Sequence, residues 1–298
     1  MQENDKMNNS HSEIGLGCVT FGREIDEPAS FAVLDHAYAN GITFFDTAAA
    51  YGNGASETIL GKWMAKRGKT FPTITVATKV LPPFDSQHIT ASVEQSLVRL
   101  QCRVIDILYL HRWDAALQSP EAFAALDGLV RSGKVRQLGA SNFTAEQLKD
   151  SLHLQQTHGY EPFRFVQNNH NLAVSDVGEN LKKLCQQKAV AIISYSPLGA
   201  GFLTGKHQQG TQEGSRFAIM PGHQDVYYHE AAYRRLKKLH KVAARTGYPP
   251  VQLALAWAIH QPGIATVLIG GRSPAHIDQA LQARDFNEPE LFAELESA

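Results

Sequence analysis

Short apolar runs alternate with longer amphipathic stretches along this chain from Ile14 onward, and Gly, Pro, Asp or Asn punctuates most of the junctions. Runs of roughly four to eight apolar and β-branched residues read as strands, whereas stretches of about ten or more with one apolar face read as helices. The strand candidates are Ile14 to Phe21, Ile42 to Phe45, Ile74 to Lys79, Ile105 to His111, Val135 to Ser141, Phe163 to Gln167, Val190 to Tyr195 and Ile264 to Ile269. Between and after them fall helix candidates at Pro28 to Ala39, Ser56 to Lys66, Ile89 to Leu100, Pro120 to Ser132, Ala145 to His158, Val177 to Gln187, Pro249 to His260 and Pro274 to Ala283. Pro28, Pro120 and Pro274 stand at or near first-turn positions, where a missing N–H costs nothing, and Ser56 and Thr144 are placed to cap exposed donors. Asn40-Gly41 and Ser132-Gly133 stop the helices that precede them.

Eight strand-helix units in succession, with no Gly/Ser-rich linker between any two, predict one closed (β/α)8 barrel, the TIM barrel, over residues 13–298. Residues 1–12 read as a disordered start. One insertion breaks the rhythm. It runs from about Gly199 to Tyr228 after the seventh strand, rich in Gly, Gln and His, and a helical stretch from His229 to Arg245 follows it. A loop of this length in a compact domain suits a lid over a site.

With 298 residues, 43% of them hydrophobic, the chain can bury a large core, and its formal net charge of -1 gives no global field to recruit nucleic acid or an anionic membrane surface. Small molecules or proteins are the expected partners, and the pattern leaves the oligomeric state open. Cys18, Cys102 and Cys185 lie far apart with no C-x-x-C pair, which fits a reducing compartment. No apolar run approaches the roughly 20 residues of a spanning helix, and residues 1–12 lack a secretory core, so the expected location is cytoplasmic.

Parallel barrels keep their chemistry at the C-terminal ends of the strands. There the chain places Asp46, Lys79, His111, Ser141-Asn142, Gln167 and Tyr195-Ser196, each closing a hydrophobic run. One such position is ordinary, because loops begin there; a set holding a carboxylate, an ammonium and an imidazole is harder to dismiss. Tyr51 follows Asp46 by five residues, just before Gly52-Asn53-Gly54. A phenol with an ordinary pKa near 10 donates a proton reluctantly unless a cation stabilises the phenolate, and Lys79 would be that cation, making the phenol more acidic. Asp46 would fix the lysine, and His111 would hold a substrate oxygen from the other side. None of these groups is a reductant. Phe21, Trp113 and Phe143, just past strands one, four and five, are candidates for an apolar substrate mouth, and Arg23 and Arg112 for greeting an anionic substrate. Past the eighth helix only the short stretch Asp285 to Ala298 follows, so a fairly open pocket is expected.

These residues resemble the aldo-keto reductases, (β/α)8-barrel enzymes whose Asp-Tyr-Lys-His tetrad is matched here, in order and close to its spacing, by Asp46, Tyr51, Lys79 and His111. The resemblance runs from Gly15-Leu16-Gly17-Cys18-Val19-Thr20-Phe21-Gly22 to the segment beginning Ile269-Gly270-Gly271, through Asn53-Gly54-Ala55-Ser56-Glu57, Gly139-Ala140-Ser141-Asn142-Phe143 and Ser196-Pro197-Leu198. It implies an NADPH (NADP+) cofactor, with NADH left open, and a small-molecule carbonyl substrate reduced to an alcohol. It implies that Ser141, Asn142 and Gln167 bind the nicotinamide carboxamide, that Tyr195 stacks on the pyridine ring, and that Thr20 contacts the ribose. Ser196, Leu198, Gly199 and Lys206 would lie along the loop that crosses the pyrophosphate, with Arg216 as a later contact. Independently of the family, Gly270-Gly271 before a helix start lets backbone N–H groups approach a phosphate, and Arg272 suits a 2′-phosphate. His276 and Gln279 are adenosine candidates, although His276-Ile277-Asp278-Gln279-Ala280 departs from the Glu-Asn common among relatives.

Other signals are set aside. Gly15-x-Gly17 has Thr20 where a dinucleotide fingerprint needs its third glycine, and it lies within a strand. The 13 histidines are scattered without H-E-x-x-H, so no metal is expected, and no G-x-S-x-G elbow offers a nucleophilic serine. Two alternatives stay open. One is a nucleotide-sensing subunit, since potassium-channel β-subunits resemble the same family and share a start similar to Val19-Thr20-Phe21-Gly22. The other is a barrel aldolase forming a Schiff base on Lys79.

Overall fold

The structure, a computed structural model, describes residues 13–67, 74–207 and 210–297; the start at 1–12, expected to be disordered, lies outside them. Eight strands form the barrel: β1 (Ile14–Gly17), β2 (Phe44–Asp46), β3 (Thr75–Val80), β4 (Ile105–Leu110), β5 (Val135–Ser141), β6 (Phe163–Asn169), β7 (Ala191–Tyr195) and β8 (Ile264–Gly270). Each pairs in parallel with the next, and β8 closes on β1, with Leu16 opposite Ile269. This is the TIM barrel that the alternating pattern predicts.

Strand periodicity decides what the barrel presents at its upper rim. Phe44, Ala77, Ile107, Tyr109, Phe165, Ile193 and Leu268 pack into one cluster drawn from six strands, which fills the barrel. Side chains two residues apart on a strand share a face. Asp46 therefore follows Phe44 inward, Lys79 follows Ala77, His111 follows Tyr109, Gln167 follows Phe165 and Tyr195 follows Ile193. A larger apolar cluster lies outside the strands and against the helices.

The helices are α1 (Glu27–Ala39), α2 (Ala55–Arg67), α3 (Ser86–Leu100), α4 (Glu121–Arg131), α5 (Ala145–His158), α6 (Glu179–Lys188), α7 (Arg216–Ile219), α8 (His223–Tyr227), α9 (Glu230–Thr246), α10 (Pro250–Ile259), α11 (Pro274–Arg284) and α12 (Pro289–Glu296). Thr144 caps α5 in a reciprocal box with Gln147, as expected. Ser56 does not cap α2. It is fully buried, donates to Cys18 O at 2.8 Å and meets Thr47 Oγ1 at 2.8 Å. The helix that the pattern starts at Ile89 begins at Ser86, because the Asp85 side chain accepts from His88 N at 2.8 Å.

One further expectation changes. The first strand stops at Gly17 rather than Phe21, because the amides of Glu24 and Ile25 turn back onto Thr20 O. The stretch after α11 folds as α12, burying Phe292 and Leu295, and its Glu296 accepts from Trp257 Nε1 at 2.9 Å and Gln261 Nε2 at 2.8 Å. No helix among the described residues is long and apolar enough to cross a membrane.

Helices α2 and α3 touch through their backbones at Gly61, where an added Cβ would fall 2.2 Å from Arg99 O. The neighbouring atom is main chain and cannot swing aside. Gly61→Ala is expected to lower the unfolding free energy by about 1–3 kcal/mol in urea titrations, the usual range for overpacking.

Candidate active site

The floor of the site is one buried ammonium. Lys79, 1% exposed on β3, forms an ion pair with the carboxylate of Asp46, 2% exposed at the end of β2. Its Nζ also donates to Thr47 O at 2.9 Å and to Tyr51 Oη at 3.3 Å. An ammonium carries three N–H bonds, and each has an acceptor here. Because the phenol oxygen accepts from Lys79, the phenol's own hydrogen is directed away from the lysine. The His111 ring stands edge-on to Tyr51, centroids 5.7 Å apart.

A hydrogen-bonded wall continues from this floor across four strands. Gln167 Nε2 donates to Asp46 Oδ2 at 2.8 Å, and Ser141 Oγ donates to Gln167 O at 3.0 Å. Asn142, in left-handed backbone at φ 61°, donates to His111 O at 2.9 Å and accepts from Tyr195 Oη at 2.6 Å. Asp46, Gln167, Ser141, Asn142 and Tyr195 are thus joined before any ligand arrives.

Protonation follows from burial and neighbours. Burial works against the Lys79 ammonium, but Asp46 and Tyr51 outweigh it and hold its pKa above the ordinary lysine value. Burial likewise lifts the Asp46 carboxyl, opposed by Lys79 and Gln167. Burial also raises the Tyr51 phenol, and the pull of Lys79 does not cancel it. Lys79 thus acts on this phenol in the expected direction, but desolvation of the phenolate dominates, and the resting group is a protonated phenol. Burial, together with Lys79 and Arg112, brings His111 down to about 3, so its imidazole is neutral.

A cavity of about 1020 Å³ opens over these groups. Asp46, Tyr51, His111, Ser141, Asn142, Gln167 and Tyr195 line one end. Thr20, Ser196, Leu198, Lys206, Arg216, Gly271, Arg272, His276 and Gln279 line its remainder. Thr20 Oγ1 donates to Gly271 O at 2.9 Å, and Arg272 reaches the insertion, donating to Gly214 O at 2.9 Å. Partial burial and the nearby Arg272 charge hold Lys206 below its ordinary value, which marks two cations facing the same space. Lys79 sits behind the lining, and Gly199 is buried under Tyr227.

Arg216 lines the cavity already paired: its Nη1 lies 3.3 Å from Glu24 Oε1, while Arg23 grips the same carboxylate through Nε and Nη2, both at 2.7 Å. Arg23 is thereby paired at the mouth, although two guanidiniums on one carboxylate leave the cluster net positive, and Arg112 is not part of the lining. The aromatic mouth is also corrected. Phe21 and Phe143 are buried in the core, 0% and 1% exposed, and Trp113 packs half-buried against it; none of the three lines the cavity. The chain reverses at Thr20 and turns Phe21 inward, while Phe143 packs edge-on with Phe163 outside the barrel.

The residues that do rim the mouth beside Tyr51 and His111 include Val19, Glu24, Ala50, Met220 and His223. Val19 and Ala50 adjoin Thr20 and Tyr51 and were findable as neighbours. Met220 and His223 come from the insertion, where no periodicity exists to read. Helix α12 contributes nothing to the lining.

Comparison with known proteins gives an independent measure. A family model described as "Aldo/keto reductase family" matches residues 13–296. Norsolorinic acid reductase B of Aspergillus parasiticus is 30% identical over 288 residues, covering 89% of this chain and 75% of that protein. Probable aldo-keto reductase 1 of Glycine max is 29% identical over 287 residues, 91% of this chain and 80% of that one. A putative voltage-gated potassium channel subunit beta of Schizosaccharomyces pombe is 29% identical over 299 residues, covering 94% and 87%.

Neutral His111 has a consequence for acid stability. An unfolded imidazole takes up its proton near pH 6.5, while the folded one resists until about 3, so the unfolded state binds more protons in that window and stability falls as pH falls through it. His111→Gln is expected to lose less stability than the parent between about pH 6.5 and about 4 in urea titrations.

Proposed function

Because the chain belongs to the aldo/keto reductase family, we propose that it is an NADPH-dependent oxidoreductase that reduces aldehydes or ketones to alcohols, with Tyr51 as proton donor. The observation that carries the reading is the Lys79 ammonium shared by Asp46, Thr47 and Tyr51 at the cavity floor.

The residues present suit the cofactor. A cavity of about 1020 Å³ lies at the upper end of the usual range for ligand pockets, roomy enough for a dinucleotide beside a small substrate. At one end stand Ser141, Asn142 and Gln167, whose amide and hydroxyl groups match a carboxamide, and Tyr195, whose ring forms the wall. At the other, Gly271 leads into the start of α11, with Lys206 and Arg272 for phosphate groups and His276 and Gln279 for adenosine. A nicotinamide held there would supply the hydride for the carbonyl carbon, which no side chain in the site can do.

The chain's own groups do the rest. A carbonyl oxygen between Tyr51 and His111 accepts the phenol's hydrogen and a hydrogen bond from the neutral imidazole. As the phenol releases its proton to that oxygen, the adjacent Lys79 ammonium stabilises the phenolate, and Asp46 keeps the ammonium in place. The Lys79 arrangement speaks against a barrel aldolase. A Schiff base needs an unprotonated amine facing the substrate, whereas this lysine is buried behind the lining and held protonated by Asp46 and Tyr51. A nucleotide-sensing subunit is the rival with support, since one relative is named as a putative potassium channel subunit beta. Tight NADPH binding without repeated turnover over a carbonyl panel would favour it. The three unbridged cysteines accord with a cytoplasmic protein.

Tyr51→Phe is expected to lower kcat for aldehyde reduction by about a hundredfold to ten-thousandfold, with NADPH affinity by fluorescence titration near the parent value. A variant reducing aldehydes at the parental rate would show the phenol's role to be wrong. Arg272→Leu is expected to weaken NADPH binding more than NADH binding in the same titration, since only the former carries the 2′-phosphate; equal losses would remove Arg272 from cofactor choice.

A further inference from the structure

We propose that Arg99, on α3 outside the barrel, is a positioning residue for Tyr51, clamping the turn that carries the phenol to the strand that carries Lys79. The inference rests on Tyr51 as the proton donor and adds what sets its distance to the ammonium.

Tyr51 opens a single turn of 3-10 helix, Tyr51–Gly54, in which Gly52, Asn53 and Gly54 all have positive φ, at 57°, 52° and 87°. Gly-Asn-Gly permits this left-handed backbone but does not compel it, because two glycines leave the turn many other conformations. The turn must be held from outside. Gly54, Glu57 and Gly61 recur at helical spacing along the start of α2 and all face the end of α3. The backbone contact at Gly61 fixes where Arg99 leaves α3. Its side chain then lies on Gly54, where an added Cβ would meet Arg99 Cδ at 2.7 Å and Nε at 2.9 Å.

The guanidinium completes the clamp. Arg99 Nε donates to Glu57 Oε2 at 2.6 Å, and Nη2 donates to Ser96 Oγ at 3.2 Å. Glu57 is fully buried, and its other oxygen accepts from Thr78 Oγ1 at 2.5 Å. Thr78 immediately precedes Lys79 and points out of the barrel where Lys79 points in. One guanidinium therefore touches the Tyr51 turn directly and reaches β3 through a single buried carboxylate. The quantity it governs is the 3.3 Å between Tyr51 Oη and Lys79 Nζ. Ser56, beside Glu57, adds ties to Cys18 O and Thr47, so the first turn of α2 is moored to β1, to the end of β2 and to β3.

The test compares Arg99→Ala and Arg99→Lys with Val98→Ala, a change at an exposed neighbouring side chain. Two readouts are taken. In steady-state carbonyl reduction with NADPH, Arg99→Ala is expected to lower kcat about tenfold to a hundredfold, with both KM values within about twofold of the parent. Arg99→Lys, which keeps the stem over Gly54 and a charge for Glu57, is expected to recover part of the loss, and Val98→Ala to match the parent. In NMR of ring-labelled tyrosine without cofactor, the Tyr51 resonance, identified by its loss in Tyr51→Phe, is expected to shift in Arg99→Ala and return toward the parent position in Arg99→Lys. A folded Arg99→Ala that leaves this resonance in place, or that keeps the parental kcat, overturns the proposal. Should Arg99→Ala fail to fold, Glu57→Gln carries both readouts with the same two outcomes. A parent protein that turns over no carbonyl refutes the reductase reading, and the resonance alone then decides whether Arg99 holds Tyr51.

Discussion

A charge buried at the mouth of a barrel sets the terms for everything around it. Lys79 is almost wholly removed from water, and an unpaired ammonium there would be strongly destabilising. It survives because β2 delivers the Asp46 carboxylate and the Thr47 carbonyl, and the following turn delivers the Tyr51 oxygen. Each partner is thus doubly constrained, by its own strand or turn and by the ammonium's need for an acceptor. Asp46 in turn requires Gln167 for its second oxygen, which draws β6 into the same network. The site is a continuation of the folding problem into the rim.

This explains why so much could be read from the chain. A strand's period of two carries a residue from the packed interior to the rim in one step, so a hydrophobic run closed by a polar residue announced Asp46, Lys79, Gln167 and Tyr195. Closure of the barrel followed from eight such units without a linker. What escaped was whatever depends on turns instead of period. Phe21 and Phe143 stood just past strand ends and looked like mouth residues, yet chain reversal at Thr20 buries the first, and the second packs outside the barrel against Phe163. Ser56 looked like a helix cap and is an internal tie. Met220 and His223 reach the mouth from an insertion whose sequence has no repeating pattern, so nothing in it indicated which side chains would face inward.

The insertion also redistributes charge. Arg23 and Arg216 share the carboxylate of Glu24, whose side chain is only 1% exposed. That bridge joins the loop after β1 to the start of α7, while Arg272 joins the loop after β8 to Gly214. The cover is therefore fastened at both sides of the cavity. Of the cations lining it, Lys206 and Arg272 face one end, while the mouth presents Val19, Ala50 and Met220 beside two arginines held on one carboxylate.

Protonation at rest then fixes the state from which the proposed reaction would start. The floor carries an ammonium paired with a carboxylate, a phenol whose pKa burial has raised, and an imidazole that is neutral near physiological pH. Reduction starts from that state, because the proton to be given is already on Tyr51. Oxidation of an alcohol would start from the phenolate, a form that burial disfavours here and that Lys79 stabilises only in part. In that proposal the lysine's part is to lower the free energy of the charge formed as the proton leaves, while the resting phenol stays protonated. On the proposed reading, such a site would give up a proton at neutral pH and would have to lose one first to run backward.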